Sequence, residues 1–185
     1  MLAFPKRYAD TVARLRVPGG FVLVAAFAWF SRPNQASLIA GIAVSFLGLA
    51  LRAWAAGCLA KNQELATGGP YAYVRNPLYI GTLLVAAGLA AAARSIGLAV
   101  LFAVVFLLVY LPVVQLEEQH LRKLFPQYGA YADAVPALWP RLTRAAVGQP
   151  ESFRWSLYRR NQEYQAAAAW AAGILLLAWK AWRAA

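Results

Sequence analysis

Long, nearly uncharged apolar runs are the feature that most restricts how this sequence can fold. The five runs are Val17–Phe30, Ala36–Leu59, Pro77–Ala93, Ser95–Leu116 and Ala166–Trp179. Apolar residues are contiguous in them rather than alternating with polar ones, which favours helices over a membrane barrel. Because about 20 apolar residues cross a bilayer, the sequence predicts an all-α polytopic membrane bundle. We expect about five transmembrane helices with cytoplasmic connecting segments.

The composition excludes an ordinary soluble domain, since 62% of the 185 residues are hydrophobic and the mean hydropathy is +0.51. We expect a single membrane-embedded domain over residues 1–185. It divides into an N-terminal helical hairpin (17–59), a catalytic region with the third and fourth helices (60–141), and an interfacial helix with the last span (142–185). The first run also resembles a signal-peptide core, but no A-x-A-like cleavage site follows Phe30.

The charge distribution predicts the orientation. The chain has 18 Lys and Arg residues against 7 acids, and they lie between the apolar runs rather than on one basic face. This favours the bilayer as partner over nucleic acid, which we do not expect to bind. With the N-terminus in the cytoplasm, the inner side holds Lys6, Arg7, Arg14, Arg16, Lys61, Arg75, Arg122, Lys123, Arg141, Arg144, Arg154, Arg159 and Arg160. The outer side holds only Arg32, Arg94, Lys180 and Arg183.

The positive-inside rule therefore predicts an integral membrane protein with a cytoplasmic N-terminus and an outer C-terminus. Its composition, rich in Ala, Arg and Leu, points to a prokaryotic plasma membrane. The chain has one cysteine, Cys58, and one histidine, His120. They allow no intrachain disulfide and predict no metal site.

Small residues predict how two of the spans pack. Gly41, Ser45 and Gly48 lie at i, i+4 and i+7 of the second run, a spacing that lets helices approach closely. Only Arg94 separates the third and fourth runs, so we expect them to form a tight hairpin.

The first polar segment is Thr67–Gly81, with the sequence TGGPYAYVRNPLYIG. Its Gly-Gly-Pro predicts a turn. Asn76 followed by Pro77 predicts an N-cap and a first-turn proline at the start of the third span. Further aromatic and basic residues crowd this helix start: Tyr71, Tyr73, Arg75 and Tyr79. A helix N-terminus beside an arginine favours an anion such as a carboxylate, while an interfacial aromatic belt also explains the tyrosines.

The second polar segment begins with Glu117 and Glu118, directly after an apolar run. Carboxylates this close to hydrocarbon are costly and usually have a partner. Glu118 and Arg122 stand at i, i+4 and predict an ion pair. Glu117 has no such neighbour, so it is the better candidate for binding a ligand hydroxyl, amine or cation. His120 is expected to point off the Glu117 face into solvent.

The third polar segment runs from Pro150 to Tyr164 and mixes aromatic with basic residues. This composition predicts an interfacial helix on an anionic leaflet. Asn161, Glu163 and Tyr164 either line the site or, as we favour, have surface roles.

Taken together, these motifs resemble those of the integral-membrane methyltransferases that include isoprenylcysteine carboxyl methyltransferase and the phospholipid N-methyltransferases. The matching residues are G-P-Y-x-Y-x-R-N-P-x-Y-x-G at Gly69–Gly81, E-E-x-x-L at Glu117–Leu121, and Y-x-x-Y…V-P from Tyr128 to Pro136. The resemblance covers about half the chain, from Arg52 to Arg141. It implies a multispan enzyme that uses S-adenosyl-L-methionine on a lipophilic substrate at the cytoplasmic membrane face.

The resemblance also implies site residues. Cofactor contacts carried over are Gln63, Glu64, Leu65, Ala66, Tyr71, Asn76, Pro77, Leu78, Tyr79 and Glu117. Arg75 and Glu118 are the implied catalytic residues.

Carboxyl O-methylation is the preferred reaction, and phospholipid N-methylation is the alternative. Asn76 replaces a histidine common in the carboxyl enzymes, and Val113 stands where their eukaryotic members place an arginine. Two further hypotheses remain: a related sterol-reductase fold that binds NADPH, and a non-enzymatic lipid-binding or scaffold bundle.

Overall fold

The structure, a computed structural model, describes residues 4–146 and 152–184. Over these residues the chain forms eight α-helices and no strand, which confirms the all-α prediction. The helices are α1 (Lys6–Phe30), α2 (Gln35–Gly57), α3 (Pro77–Ala93), α4 (Ile96–Val105), α5 (Leu111–Leu124), α6 (Tyr128–Ala134), α7 (Trp155–Arg160) and α8 (Tyr164–Arg183). A 3₁₀ turn at Gly69–Ala72 precedes α3, and a π-helical turn at Phe106–Tyr110 joins α4 to α5.

Two helical stretches in the described part of the chain are long and apolar enough to cross a membrane. They are α2 and the continuous helix Ile96–Leu124, which contains α4, the π turn and α5. A third is α1 if its two halves form one span, because α1 bends by 57° between Leu15 and Pro18. Proline inside a helix removes a hydrogen bond and explains this kink. The described residues thus contain two clear candidate spans, or three if α1 is counted, whereas the sequence predicted about five. The helix α3 is apolar but has only 17 residues.

The fourth apolar run ends at Leu116, but α5 continues to Leu124. The acid pair therefore lies on a helix rather than in a connecting segment. Leu121 and Leu124 keep an apolar stripe on this extension, and Arg122 and Lys123 in the last turn complement the helix dipole.

Close packing of α2 against α3 confirms the small-residue prediction. A Cβ atom added to Gly41 would lie 2.4 Å from the Gly88 carbonyl oxygen, and one added to Gly48 would lie 2.6 Å from that of Gly81. Side chains at these positions would therefore push the helices apart. Ser45, buried between the glycines, donates a hydrogen bond to the Gly41 carbonyl at 2.7 Å.

Polar contacts fix α8 to the rest of the bundle. The Trp170 indole N–H donates to Ser45 Oγ on α2 at 2.8 Å. Near the other end of α8, Lys180 Nζ donates to the Ala28 carbonyl at 2.8 Å and to Ser31 Oγ at 2.9 Å. At the same end of the bundle, α3 and α4 are joined by two residues, with Arg94 in the left-handed region at φ 50°. This confirms a tight connection between them.

Candidate functional site

A cavity of about 520 Å³ opens where the 59–66 loop, the start of α3, α5 and α6 meet. Seven of the ten predicted cofactor residues line it: Glu64, Leu65, Ala66, Tyr71, Asn76, Leu78 and Glu117. Arg75, one of the two predicted catalytic residues, lines it as well. The fold thus brings residues from two motifs about 40 positions apart to one cavity.

Four predicted site residues lie outside this lining. The Gln63 amide oxygen accepts a hydrogen bond from Arg160 at 3.2 Å. Pro77 is fully buried at the first position of α3, as predicted for a first-turn proline. Tyr79 packs edge-on against Tyr110, with ring centroids 6.1 Å apart. The fourth, the Glu118 carboxylate, pairs with an arginine of the first motif.

Glu118 forms an ion pair with Arg75, at 3.1 Å between Oε1 and Nη2. The predicted Glu118–Arg122 pair is therefore wrong; the Arg122 guanidinium lies over the Tyr128 ring, 5.2 Å from its centroid. The side chains of Arg75 and Glu118 are only 11% and 12% exposed. Arg75, from the segment just before α3, shields the carboxylate from water, whereas Arg122 is exposed on the surface of α5.

Arg75 also anchors the first motif to the last turn of α6 and the residues that follow it. Its Nη1 donates to the carbonyls of Ala132 and Val135, at 2.5 and 3.1 Å, and its backbone N–H donates to Pro136 at 2.9 Å. These contacts and Glu118 occupy most of its donors. The structure thus gives Arg75 a positioning role, and its catalytic role stays a prediction.

Asn76 occupies the N-cap position of α3, but its side chain does not cap the helix. The amide nitrogen instead donates to the Ala137 carbonyl at 3.1 Å and to Glu118 Oε1 at 3.4 Å. Asn76 is therefore the N-cap residue, as predicted, but the predicted side-chain cap is wrong, because contacts distant in sequence orient its amide.

Tyr128 completes the surroundings of Glu118. This side chain is 1% exposed and lies beside the Glu118 carboxylate. Burial, with the neighbouring negative charge of Glu118, raises the pKa of Tyr128 to about 12. The phenol therefore stays protonated at neutral pH. Tyr131, three residues on, donates to the Tyr71 carbonyl at 2.9 Å and ties α6 to the turn before α3.

Several residues that line the cavity were not predicted as site residues from the sequence. They include Lys61, Asn62, His120, Tyr128 and Tyr131. The Y-x-x-Y motif was a signal for the two tyrosines. His120 is exposed, as predicted, but it follows Glu117 by three residues and so shares its face. The prediction that it points away from Glu117 is wrong.

Glu117 differs from its neighbour in having no ion pair among the described residues. Its side chain is exposed and lines the cavity. A carboxylate in this setting accepts hydrogen bonds and attracts positive charge without first leaving a protein partner.

Two residues of the third polar segment bind the bundle rather than having surface roles. The Glu163 carboxylate is buried and pairs with Arg52 at 2.5 Å (Nε–Oε1) and 2.9 Å (Nη2–Oε2). The Asn161 amide donates to the carbonyls of Ala56 and Leu59 at 2.9 and 2.8 Å. It therefore satisfies carbonyls at the C-terminal end of α2, just before the 59–66 loop.

Elsewhere in this segment Tyr164 is exposed, and α7 covers only Trp155–Arg160 of the predicted interfacial helix. Pro150 and Glu151 lie outside the described residues. In the described part of the chain, no cluster of three or more His, Cys, Asp or Glu side chains is placed to hold a metal ion.

The apolar helices and a cavity lined by both motifs agree with the class of protein to which the sequence is similar. The phospholipid methyltransferase family matches residues 37–128, and the chain is a member of the integral-membrane methyltransferase family. It is 33% identical over 123 residues to the cobalt-zinc-cadmium resistance protein CzcN of Cupriavidus metallidurans, covering 65% of this chain and 56% of that protein. It is 35% identical over 135 residues to the nickel-cobalt-cadmium resistance protein NccN of Alcaligenes xylosoxydans xylosoxydans, covering 69% of this chain and 63% of that protein.

The chain thus spans less than two thirds of the length of either relative. No solved structure matches it.

Proposed function

We propose that the chain is an S-adenosyl-L-methionine-dependent methyltransferase that acts on a lipophilic acceptor at the cytoplasmic membrane face. The preferred reaction is carboxyl O-methylation, as in isoprenylcysteine carboxyl methyltransferase. The observation that carries the proposal is the single cavity lined by both motifs, with Glu117 in it. Family membership supports methyl transfer in general.

The cavity suits the chemistry of this cofactor. Its volume of about 520 Å³ lies within the range of small-molecule sites. Glu64 and Glu117 offer carboxylates for an amine, a sulfonium or ribose hydroxyls, and Leu65, Leu78 and Val113 offer apolar surface for a base. S-adenosylmethionine would supply an electrophilic methyl group on a positively charged sulfur.

Two ionisable side chains beside the cavity, Glu118 and Tyr128, support an acceptor from which no proton has to be removed. Methyl transfer is a displacement that depends on positioning rather than on a protein nucleophile. Glu118 is held by Arg75, and Tyr128 stays protonated because its pKa is raised. Neither is therefore ready to act as a base for an amine. A carboxylate acceptor reacts in its ionised form, which supports O-methylation.

Apolar space for an acceptor tail lies along α3 from Thr82 onward. Two cavities of about 780 and 590 Å³ flank this part of α3, and both are lined by Leu23, Thr82, Val85, Leu89 and Phe102. Thr82 Oγ donates to the carbonyl of Leu78, whose side chain lines the cofactor cavity. A tail in this apolar space would end about one helical turn from the proposed cofactor, which supports a lipophilic acceptor.

Phospholipid N-methylation is the second candidate, supported by the family description. An amine acceptor would need a base, for which Glu117 and His120 are the ionisable groups placed at the cavity. Of the other classes, a non-enzymatic lipid-binding or scaffold protein would bind the bilayer but not the cofactor.

We further propose five membrane spans, with the N-terminus in the cytoplasm and the C-terminus outside. At 1.5 Å per residue, the 17 residues of α3 and the 20 residues of α8 extend roughly 25 and 30 Å. The contacts of α8 with α1 and α2 support a place inside the bundle. The excess of Lys and Arg on the predicted inner side supports this direction, and a bacterial plasma membrane agrees with the bacterial relatives.

The deciding experiment is equilibrium binding by calorimetry to the purified protein in nanodiscs. We expect saturable binding of S-adenosylmethionine and none of NADPH. Transfer of a radioactive methyl group to prenylcysteine or to phosphatidylethanolamine then separates O- from N-methylation. Absence of S-adenosylmethionine binding by folded protein would overturn the proposal and leave the lipid-binding scaffold.

A further inference from the structure

An exposed loop at residues 137–146 carries large apolar side chains next to arginines. Trp139 is 85% exposed and Leu142 is 99% exposed. Arg141 and Arg144 lie beside them and are exposed too. Arg141 donates to the Ala134 carbonyl at 2.5 Å, while Arg144 has no ion pair among the described residues. Exposing a tryptophan and a leucine to water is unfavourable, so this surface needs a partner.

The backbone places this loop at the level where α3 begins. Just before the loop, the Pro136 carbonyl accepts a hydrogen bond from the Arg75 backbone N–H at 2.9 Å, and in its first residue the Ala137 carbonyl accepts one from the Asn76 amide at 3.1 Å. Since α3 is apolar and uncharged from Pro77 onward, its first residue marks the edge of the hydrocarbon. The loop therefore starts at the membrane surface.

The loop stays at this level along its length. The Arg141 backbone N–H donates to the Tyr73 carbonyl at 3.0 Å, and the Ala145 N–H donates to Ala72 at 3.0 Å. The loop thus runs beside residues 72–76, the stretch that leads into α3.

We propose that the 137–146 loop docks on the anionic leaflet of the protein's own bilayer. Trp139 and Leu142 enter the interfacial layer, where tryptophan is most stable. Arg141 and Arg144 meet lipid phosphates. The loop's position at the start of α3 favours a lipid surface over a soluble protein partner, and its positive charge selects anionic lipids. Docking would hold the backbone of the first motif against the membrane surface, whether or not the chain transfers methyl groups.

The test uses a fluorescent label that reports polarity, attached through Leu142→Cys in a Cys58→Ala background. Cys58 is the chain's only cysteine and is buried, and Leu142 is fully exposed, so labelling leaves packing intact. Emission is measured in nanodiscs of phosphatidylcholine alone and with phosphatidylglycerol. We expect blue-shifted emission, quenched by lipids with a nitroxide near the headgroup and protected from aqueous iodide.

Arg144→Gln tests the role of charge, and Lys123→Gln is the control with the same charge change on exposed α5. One basic residue near an anionic surface changes partitioning about fivefold. Arg144→Gln should therefore lower the ratio of lipid-protected to iodide-accessible label by about this factor in phosphatidylglycerol discs, and Lys123→Gln should leave the ratio unchanged. Water-like, iodide-accessible emission in both discs would overturn the proposal and indicate a soluble partner. Equal effects of the two substitutions would overturn the assignment to anionic lipids.

Discussion

Glu117→Gln should weaken S-adenosylmethionine binding without destabilising the protein. The carboxylate lines the cavity, is exposed, and has no ion pair among the described residues. Replacing it by an amide of the same size therefore breaks no ion pair within this part of the chain. A hydrogen bond from a ligand to a charged group contributes about 1.5–3 kcal/mol. The dissociation constant should rise roughly 10- to 150-fold, while the unfolding temperature stays unchanged.

Glu118→Gln is the matched substitution, one residue along the same helix, and should show the opposite pattern. It removes the negative charge from a pair whose members are 11% and 12% exposed. Breaking a fully buried pair costs about 3–5 kcal/mol. Because Arg75 keeps two carbonyl acceptors, we expect a smaller loss of unfolding free energy, about 1–3 kcal/mol. The unfolding temperature should fall by roughly 2–10 °C.

Calorimetric titration and thermal unfolding, both on protein in nanodiscs, separate the two residues. If fully folded Glu118→Gln bound the cofactor as weakly as Glu117→Gln, the division between a binding and a structural carboxylate would be wrong. Binding by Glu117→Gln as tight as that of the wild type would remove Glu117 from the site.

Further predictions concern packing, ionisation and topology. Asn161→Ala removes two hydrogen bonds at the end of α2 and should lower the unfolding free energy by about 1–2 kcal/mol in a denaturant titration. Gly48→Ala should lower the unfolding temperature because its Cβ would meet α3, whereas Gly19→Ala, with nothing within 4 Å, should not. The pKa of Tyr128 is about 12 when folded against 10.0 unperturbed, so its contribution to stability is complete below pH 10 and is lost toward pH 12; Tyr128→Phe should flatten this part of the unfolding curve against pH. A cysteine at Arg144 should react with impermeant thiol reagents only from the cytoplasmic side, and labelling from outside would refute the orientation.

The sequence predicted the helices well where one apolar run makes one helix. The run Pro77–Ala93 coincides with α3, and the small residues of α2 pack where their spacing indicated. It failed where a helix continues past its apolar part, as in α1 before Val17 and α5 after Leu116. Helical hydrogen bonds continue through amphipathic sequence, so hydropathy marks the hydrocarbon rather than the ends of a helix.

The site was predicted by residue type and motif, but the partners of the ionic groups were not. The i, i+4 spacing predicted an ion pair between Glu118 and Arg122, and the Asn-Pro sequence predicted that the Asn76 side chain caps α3. Both choices considered neighbours in sequence only. In the fold, the segment before α3 places Arg75 beside Glu118, and the Ala137 carbonyl accepts a hydrogen bond from the Asn76 amide. Local spacing cannot predict a contact between residues about 40 positions apart.

The ion pair between Arg75 and Glu118 gives a physical reason for the two motifs to occur together. Arg75 closes the first motif onto the chain after α6, and Glu118 is the carboxylate that offsets its charge in a poorly solvated place. Either group alone would be a costly buried charge. Glu117 is then held at the cavity because Glu118, next to it on the same helix, is fixed. A chain that kept the acid pair but lost the arginine should therefore lose the geometry of the cavity as well as stability.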